Sequence, residues 1–124
     1  MTAAPPKAIA DALPPPNANS PGVFRRWFDY NYLEVYVRVN QRIIDGRAVR
    51  TLELSNVEVQ ESMRGQHRFS RLLDGMATLA RERGEFLLVE NVISDIVRGA
   101  VLRRGFIDYQ GNGQNYIQPN FERG

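Results

Sequence analysis

Leu33, Val35, Val37 and Val39 alternate with Glu34, Tyr36, Arg38 and Asn40. A period of two turns every second side chain to the same side, so this run predicts a half-buried strand. Asp45-Gly46 follows Ile43-Ile44 and precedes another β-prone run, the signal of a hairpin whose type I′ turn needs two positive φ angles. In the second run Leu52 and Leu54 fall on one face, but the next apolar pair, Val57 and Val59, is out of phase by one residue. Either a β-bulge near Ser55-Asn56 restores both pairs to the core side, or one pair lies at the surface.

From Phe69 the period changes. Phe69, Leu72, Leu73, Met76, Leu79 and Ala80 form one stripe, with Arg71, Asp74, Arg81 and Glu82 outside it, which predicts an amphipathic helix stopped at Gly84. The compact run Phe86-Leu87-Leu88-Val89 suits a central strand covered on both faces. Ser94 or Asp95 can cap a second helix that runs to about Arg104 and ends at Gly105. Phe106 to Tyr109 and Asn115 to Ile117 then read as two short strands across Gly111-Asn112-Gly113. The order strand, strand, long helix, strand, helix, strand, strand predicts an α+β or mixed α/β domain with one parallel crossover.

Composition places limits on this picture. The 124 residues leave room for one domain, and 43% hydrophobic with 24% charged residues is ordinary globular composition. Six of the seven prolines lie in residues 1–22. That segment reads as an extended or disordered tail, with the folded domain over residues 23–124; Pro14-Pro15-Pro16 could alternatively dock on a protein partner. Cysteine is absent, which excludes disulfides and thiol-based catalytic or metal sites, and the single His gives no metal-ligand cluster. No apolar run approaches membrane-span length and no secretory leader is evident, so the expectation is a cytoplasmic protein without membrane contact. Sixteen basic against fourteen acidic residues give a net charge of +2, too small to argue for nucleic acid, although Tyr36, Arg38 and Arg42 share one polar face as in base-stacking sheets.

Val57 to Leu73 is the stretch richest in chemistry. A strand ends, a polar loop carries Arg64, Gly65 and Arg68, and a helix begins. Loop amides at a helix N-terminus can hold phosphate, and the two arginines would add charge-assisted hydrogen bonds. The same residues equally suit a solvated strand-to-helix loop.

Arg64-Gly65-Gln66-His67-Arg68-Phe69, followed by Ser70-Arg71-Leu72-Leu73, fills the frame of Arg or Gln, two residues, Gly, one residue, Gly or Ala before a helix. In this the chain resembles the GNAT superfamily of N-acetyltransferases, as it does in Arg83-Gly84 before a strand and in Leu102-Arg103-Arg104-Gly105-Phe106 closing a helix. The resemblance implies a GNAT-like central mixed, mostly antiparallel sheet flanked by two main helices. It also implies acetyl-CoA as cofactor, with its pantetheine arm along Val57 and Val59 and its pyrophosphate held by Arg64, Gly65, Gln66, His67, Arg68, Phe69 and Ser70. The implied reaction is acetyl transfer to a primary amine on a small molecule or a protein. His67 and Phe69 stand where the signature has small residues, Ser94 where many members have Asn, and Val101 where many have the Tyr that protonates the leaving thiolate. Glu53 and Glu58 are the candidate bases, and Tyr109 and Tyr116 the candidate replacements for the acid; all four also fit a purely structural role. The competing expectation is a GNAT-like domain without catalysis that binds or assembles with other proteins. Bare strand edges leave a homodimer open.

Overall fold

The computed structural model describes residues 5–14, 24–30, 33–59 and 63–119. Its elements are, in chain order, α1 (Pro5–Ala12), β1 (Phe24–Tyr30), β2 (Leu33–Ile44), β3 (Arg47–Val59), α2 (Met63–Arg83), β4 (Phe86–Glu90), α3 (Asp95–Arg103) and β5 (Tyr116–Ile117). The strands form one mixed sheet in the order β1-β2-β3-β4-β5, extended at its end by a bridge between Ile107 and Ile117. Only β3 and β4 run parallel; the other neighbours are antiparallel. Among the described residues no helix is long and apolar enough to cross a membrane.

The hairpin forms as the periodicity predicts, and of the two readings of the phase slip the structure takes the bulge. Asp45 and Gly46 take φ of 52° and 77°, the two positive angles the tight turn requires. The β2–β3 register steps from Glu34 opposite Glu58 to Tyr36 opposite Ser55, so β3 holds one extra residue there. Asn56 absorbs it at φ 52°, a left-handed angle that Asn tolerates better than most residues. Leu52, Leu54 and Val57 all face the core as a result, with Val59 packed against it.

All three helices pack into one cluster on one face of the sheet. Ile9 of α1, Phe69, Leu72, Leu73 and Met76 of α2 and Val97 and Val101 of α3 meet Val35, Val37, Leu52, Leu54, Leu87 and Val89 there. The opposite face has no helix among the described residues. Ile44, Val49, Leu88 and Ile117 make a small cluster on it beneath Phe86, Ile107 and Tyr109. Leu87, Leu88 and Val89 are fully buried, so β4 is indeed covered on both faces.

The structure departs from the sequence reading at four places. Residues 5–12 are helical and not extended: Pro5 and Pro6 sit in the first turn, where a missing N–H costs little, and Lys7 pairs with Asp11 at 3.1 Å. Ile9 is fully buried, and Arg83 donates to the Pro14 carbonyl at 2.9 Å. The remainder of the proline-rich segment lies outside the described residues. A first strand, β1, precedes the expected hairpin, with Phe28 buried and Arg26 standing over its ring. Helix α2 starts at Met63, six residues before Phe69. Finally, Phe106 to Tyr109 contributes a single bridge instead of a strand, because the Asp108 carboxylate accepts from Gly111 N at 2.9 Å and Gly113 N at 2.7 Å and turns the chain away. For α3 the cap is Ser94, whose hydroxyl accepts from Ile96 N and Val97 N.

Candidate functional site

Parallel pairing of β3 with β4 runs from Thr51 opposite Phe86 to Ser55 opposite Glu90 and then stops. Beyond that point β3 continues along β2 to Val59, while β4 ends and the chain turns at Asn91, φ 57°. The two strands therefore diverge, and between them opens a cleft of about 480 Å³ lined by Trp27, Asn56, Val57, Glu58, Asn91 and Ile93. That volume is in the usual range for small-molecule sites. The Asn91 side-chain amide donates to the Asn56 side-chain oxygen at 2.8 Å, tying the strands together at the vertex. From Asn56 to Val59 the side of β3 that faced β4 carries no strand partner among the described residues, so its amides and carbonyls are free to pair with a ligand.

The wall of the cleft is aromatic. Trp27 is 55% exposed, its ring centroid 5.1 Å from that of Tyr36, and the Arg38 guanidinium lies 5.9 Å from the Tyr36 centroid. Strand register makes these neighbours: Trp27 faces Tyr36, which faces Ser55. In the next row outward Asp29 faces Glu34, which faces Glu58. The rim of the cleft is thus acidic.

Beside the cleft, on the same uncovered face, lies a cluster of paired charges. The Glu53 carboxylate is fully buried and accepts from Arg38 Nε at 3.0 Å, from Arg42 Nε and Nη2 at 2.5 and 2.9 Å, and from Thr51 Oγ1 at 2.7 Å. Glu90 accepts from both arginines through Oε1, at 2.7 and 3.0 Å. Burial pushes the Glu53 carboxyl up, but hydrogen bonds from Arg42 and Thr51 outweigh it and hold it below its ordinary value. Burial and the adjacent negative charge of Glu53 push Glu90 the other way. As pH rises, Glu53 therefore gives up its proton first and Glu90 last.

These opposite directions predict a pH profile. Glu53 adds stability that is present above the ordinary carboxyl value of 4.5 and lost as pH falls through its lower folded value. Glu90 adds stability that is present below 4.5 and lost as pH rises through its higher folded value. Denaturant titrations from the acidic range to neutrality should show both losses, and Glu90→Gln should remove the second. An unchanged profile above pH 4.5 in that variant would refute the assignment.

The residues singled out in the sequence scatter across this geometry. Glu58 lines the cleft; Glu53 does not, being the pivot of the ion-pair cluster and a poor proton acceptor there. Val57 and Val59 turn their side chains to the core, and of the two only Val57 borders the cleft. Arg64, Gly65 and Gln66 belong to the first turn of α2 and not to a loop, which leaves the unbonded amides there and places those of His67 to Ser70 within the helix. His67 and Arg68 are exposed on α2, Ser70 is half-buried, and Phe69 is fully buried in the core. Val101 is also a core residue. Tyr116 is buried and donates to the Gly113 carbonyl at 3.0 Å. The Tyr109 hydroxyl is buried without a hydrogen-bond partner among the described residues, and burial, with Glu90 nearby, pushes it up to about 12. Arg38 and Arg42, which share a polar strand face suited to nucleic acid, are tied to carboxylates. Among the described residues no group of acidic or His side chains could hold a metal.

Nothing local in the sequence marks Trp27, Asn56, Asn91 or Glu90 as a site residue; the order of the strands brings them together. Comparison with known proteins adds no relative: no family model, no curated protein and no solved structure matches the chain.

Proposed function

We propose that the protein is an acetyl-CoA-dependent N-acetyltransferase of the GNAT type, with the cleft between the diverging ends of β3 and β4 as its reaction site. The observation that carries this reading is the strand divergence itself: a bulged strand whose edge from Asn56 to Val59 has no strand partner among the described residues, opening onto a cleft, with a helix as the next element. An extended ligand bearing amides can add to such an edge as a strand would, and a pyrophosphate suits the free amides of the first turn of α2. The bound thioester supplies the acetyl group.

In the transfer the ammonium would lose one proton to free its lone pair, a C–N bond would form as the C–S bond breaks, the nitrogen would shed a second proton to solvent to become the amide, and sulfur would leave as thiolate. Glu58 is the cleft-facing carboxylate and the residue we assign to the proton of the amine. The acidic row Asp29, Glu34 and Glu58 attracts a cationic acceptor. No acid is needed for the sulfur in principle, because a thiolate with a pKa of about 8.5 is a tolerable leaving group near neutrality.

Two observations favour the second reading, a GNAT-like module that binds or assembles with other proteins without catalysis. Glu53 is locked by two arginines, and Val101 fills the core where the resemblance would place an acid. Calorimetric titration with acetyl-CoA and CoA, followed by thiol-release assays on a panel of amines, separates the two. Micromolar binding that weakens about tenfold or more in Arg64→Ala and Arg68→Ala, with thiol release that Glu58→Gln suppresses, supports the transferase. Binding without release supports a domain that has lost catalysis, and no heat at millimolar cofactor defeats the transferase and leaves the protein-binding module.

A further inference from the structure

Strand β1 ends the sheet, so its outer edge has no partner strand among the described residues. The residues along that edge are arranged symmetrically about their centre. Arg25, Trp27 and Asp29 alternate onto the face that carries no helix, and all three are exposed. Neither Arg25 nor Asp29 has an ion-pair partner among the described residues.

Within the chain, each end of this strand faces its own kind of charge. Arg25 lies opposite Arg38, and Asp29 lies opposite Glu34, which in turn lies opposite Glu58. Like charges directly across a sheet repel. An antiparallel neighbour placed on the open edge, with its two-fold axis through Trp27, would reverse this at both ends. Arg25 would then face Asp29 of the neighbour, Asp29 would face the neighbour's Arg25, and the two indoles would meet at the centre. Arg26, which already lies 5.2 Å from the Phe28 ring centroid of its own strand, would oppose Phe28 of the other copy.

We propose that β1 is a self-complementary edge on which a second copy of this chain docks antiparallel, joining the two five-stranded sheets into one continuous sheet. The occupant is a second copy because the charge pattern is palindromic. Arg-X-Trp-X-Asp read backwards on the partner strand places opposite charges in register twice, which an unrelated strand would match only by chance. The other end of the sheet offers no comparable edge, since β5 has only two residues. This pairing does not depend on any reaction in the cleft.

Charge exchange tests it. Sedimentation velocity on the full chain over a range of concentrations should give the mass of two chains. Arg25→Asp alone, or Asp29→Arg alone, sets like charges opposite each other at two symmetry-related positions and should weaken the dimer by roughly tenfold or more. Arg25→Asp combined with Asp29→Arg recreates the opposite-charge pairs with the signs exchanged and should restore it. The double variant also places opposite charges next to Arg38 and Glu34 within the chain, so it should fold at least as well as the parent, and circular dichroism checks the single variants. A wild-type protein that stays monomeric at high concentration overturns the proposal. So does a dimer indifferent to both single changes, or one that the double change fails to rescue.

Discussion

Glu53→Ala is expected to destabilise the protein by about 3 kcal/mol, at the lower end of the roughly 3–5 kcal/mol seen when one partner of a buried charge pair is removed. The substitution strips Arg38 and Arg42 of their main acceptor and leaves the Thr51 hydroxyl, on a fully buried residue, without the oxygen it donates to. The lower end applies because the Arg38 and Arg42 side chains are 31% and 28% exposed and can recover part of their hydration. Against a typical total stability of about 5–15 kcal/mol this is a large fraction. Urea denaturation at neutral pH measures it, with an unchanged dependence on denaturant showing that the folded state is still the reference. Glu53→Gln keeps an acceptor for Thr51 and should cost less. A loss below about 1 kcal/mol for Glu53→Ala would mean that the cluster behaves as a surface ion pair and holds nothing together.

Ile9→Ala should have an effect of comparable size, up to about 2–5 kcal/mol for a fully buried branched aliphatic side chain. A ceiling applies here that a central residue would lack. Helix α1 has eight residues and is held by Ile9, by Ala12 and Leu13 packed against the core, and by the Arg83 contact to Pro14. Once Ile9→Ala has removed more than the docking free energy of α1, the helix detaches and further loss stops. Urea denaturation should therefore show the same loss for Ile9→Asp as for Ile9→Ala if the ceiling is reached. Limited proteolysis within residues 5–14 should accelerate in both variants. Unchanged proteolysis would show that α1 is not held by Ile9.

The order of elements from β2 to α3 is legible because each carries its own periodicity. Alternation marks β2, the Asp45-Gly46 pair marks its turn, the slip after Leu54 marks the bulge, and the stripe from Phe69 to Ala80 marks α2. Other elements lack a local signal. Among the described side chains of β1, Phe24 and Phe28 pack on the core, between arginines and an exposed Trp27, so the apolar pattern is too short to stand out. Helix α1 is masked by proline content, although prolines in a first turn are compatible with a helix and Ile9 and Leu13 are spaced by four. The first turn of α2 is hard to place because Gly65 and its polar neighbours suit a loop equally well, and the helix nevertheless runs continuously from Met63.

The candidate site is less legible than the fold for a physical reason. Glu53 and Glu90 are far apart in sequence, and only the parallel pairing of β3 with β4 brings them side by side. Glu53 on its polar strand face looks like an available base; its neutralisation by Arg38 and Arg42 depends on the β2–β3 register, in which Arg38 faces Glu53. Trp27 enters the cleft wall through a strand that the apolar pattern does not show.

The one-sided arrangement of the helices has a thermodynamic signature of its own. On one face the sheet is sealed by apolar side chains; on much of the other it is sealed by Arg38, Arg42, Glu53 and Glu90. Exposing apolar surface raises the heat capacity of unfolding, whereas exposing polar surface lowers it, so the two faces contribute with opposite sign. The stability of this chain should accordingly vary more gently with temperature than that of a domain of equal length with an apolar layer on both sides of its sheet.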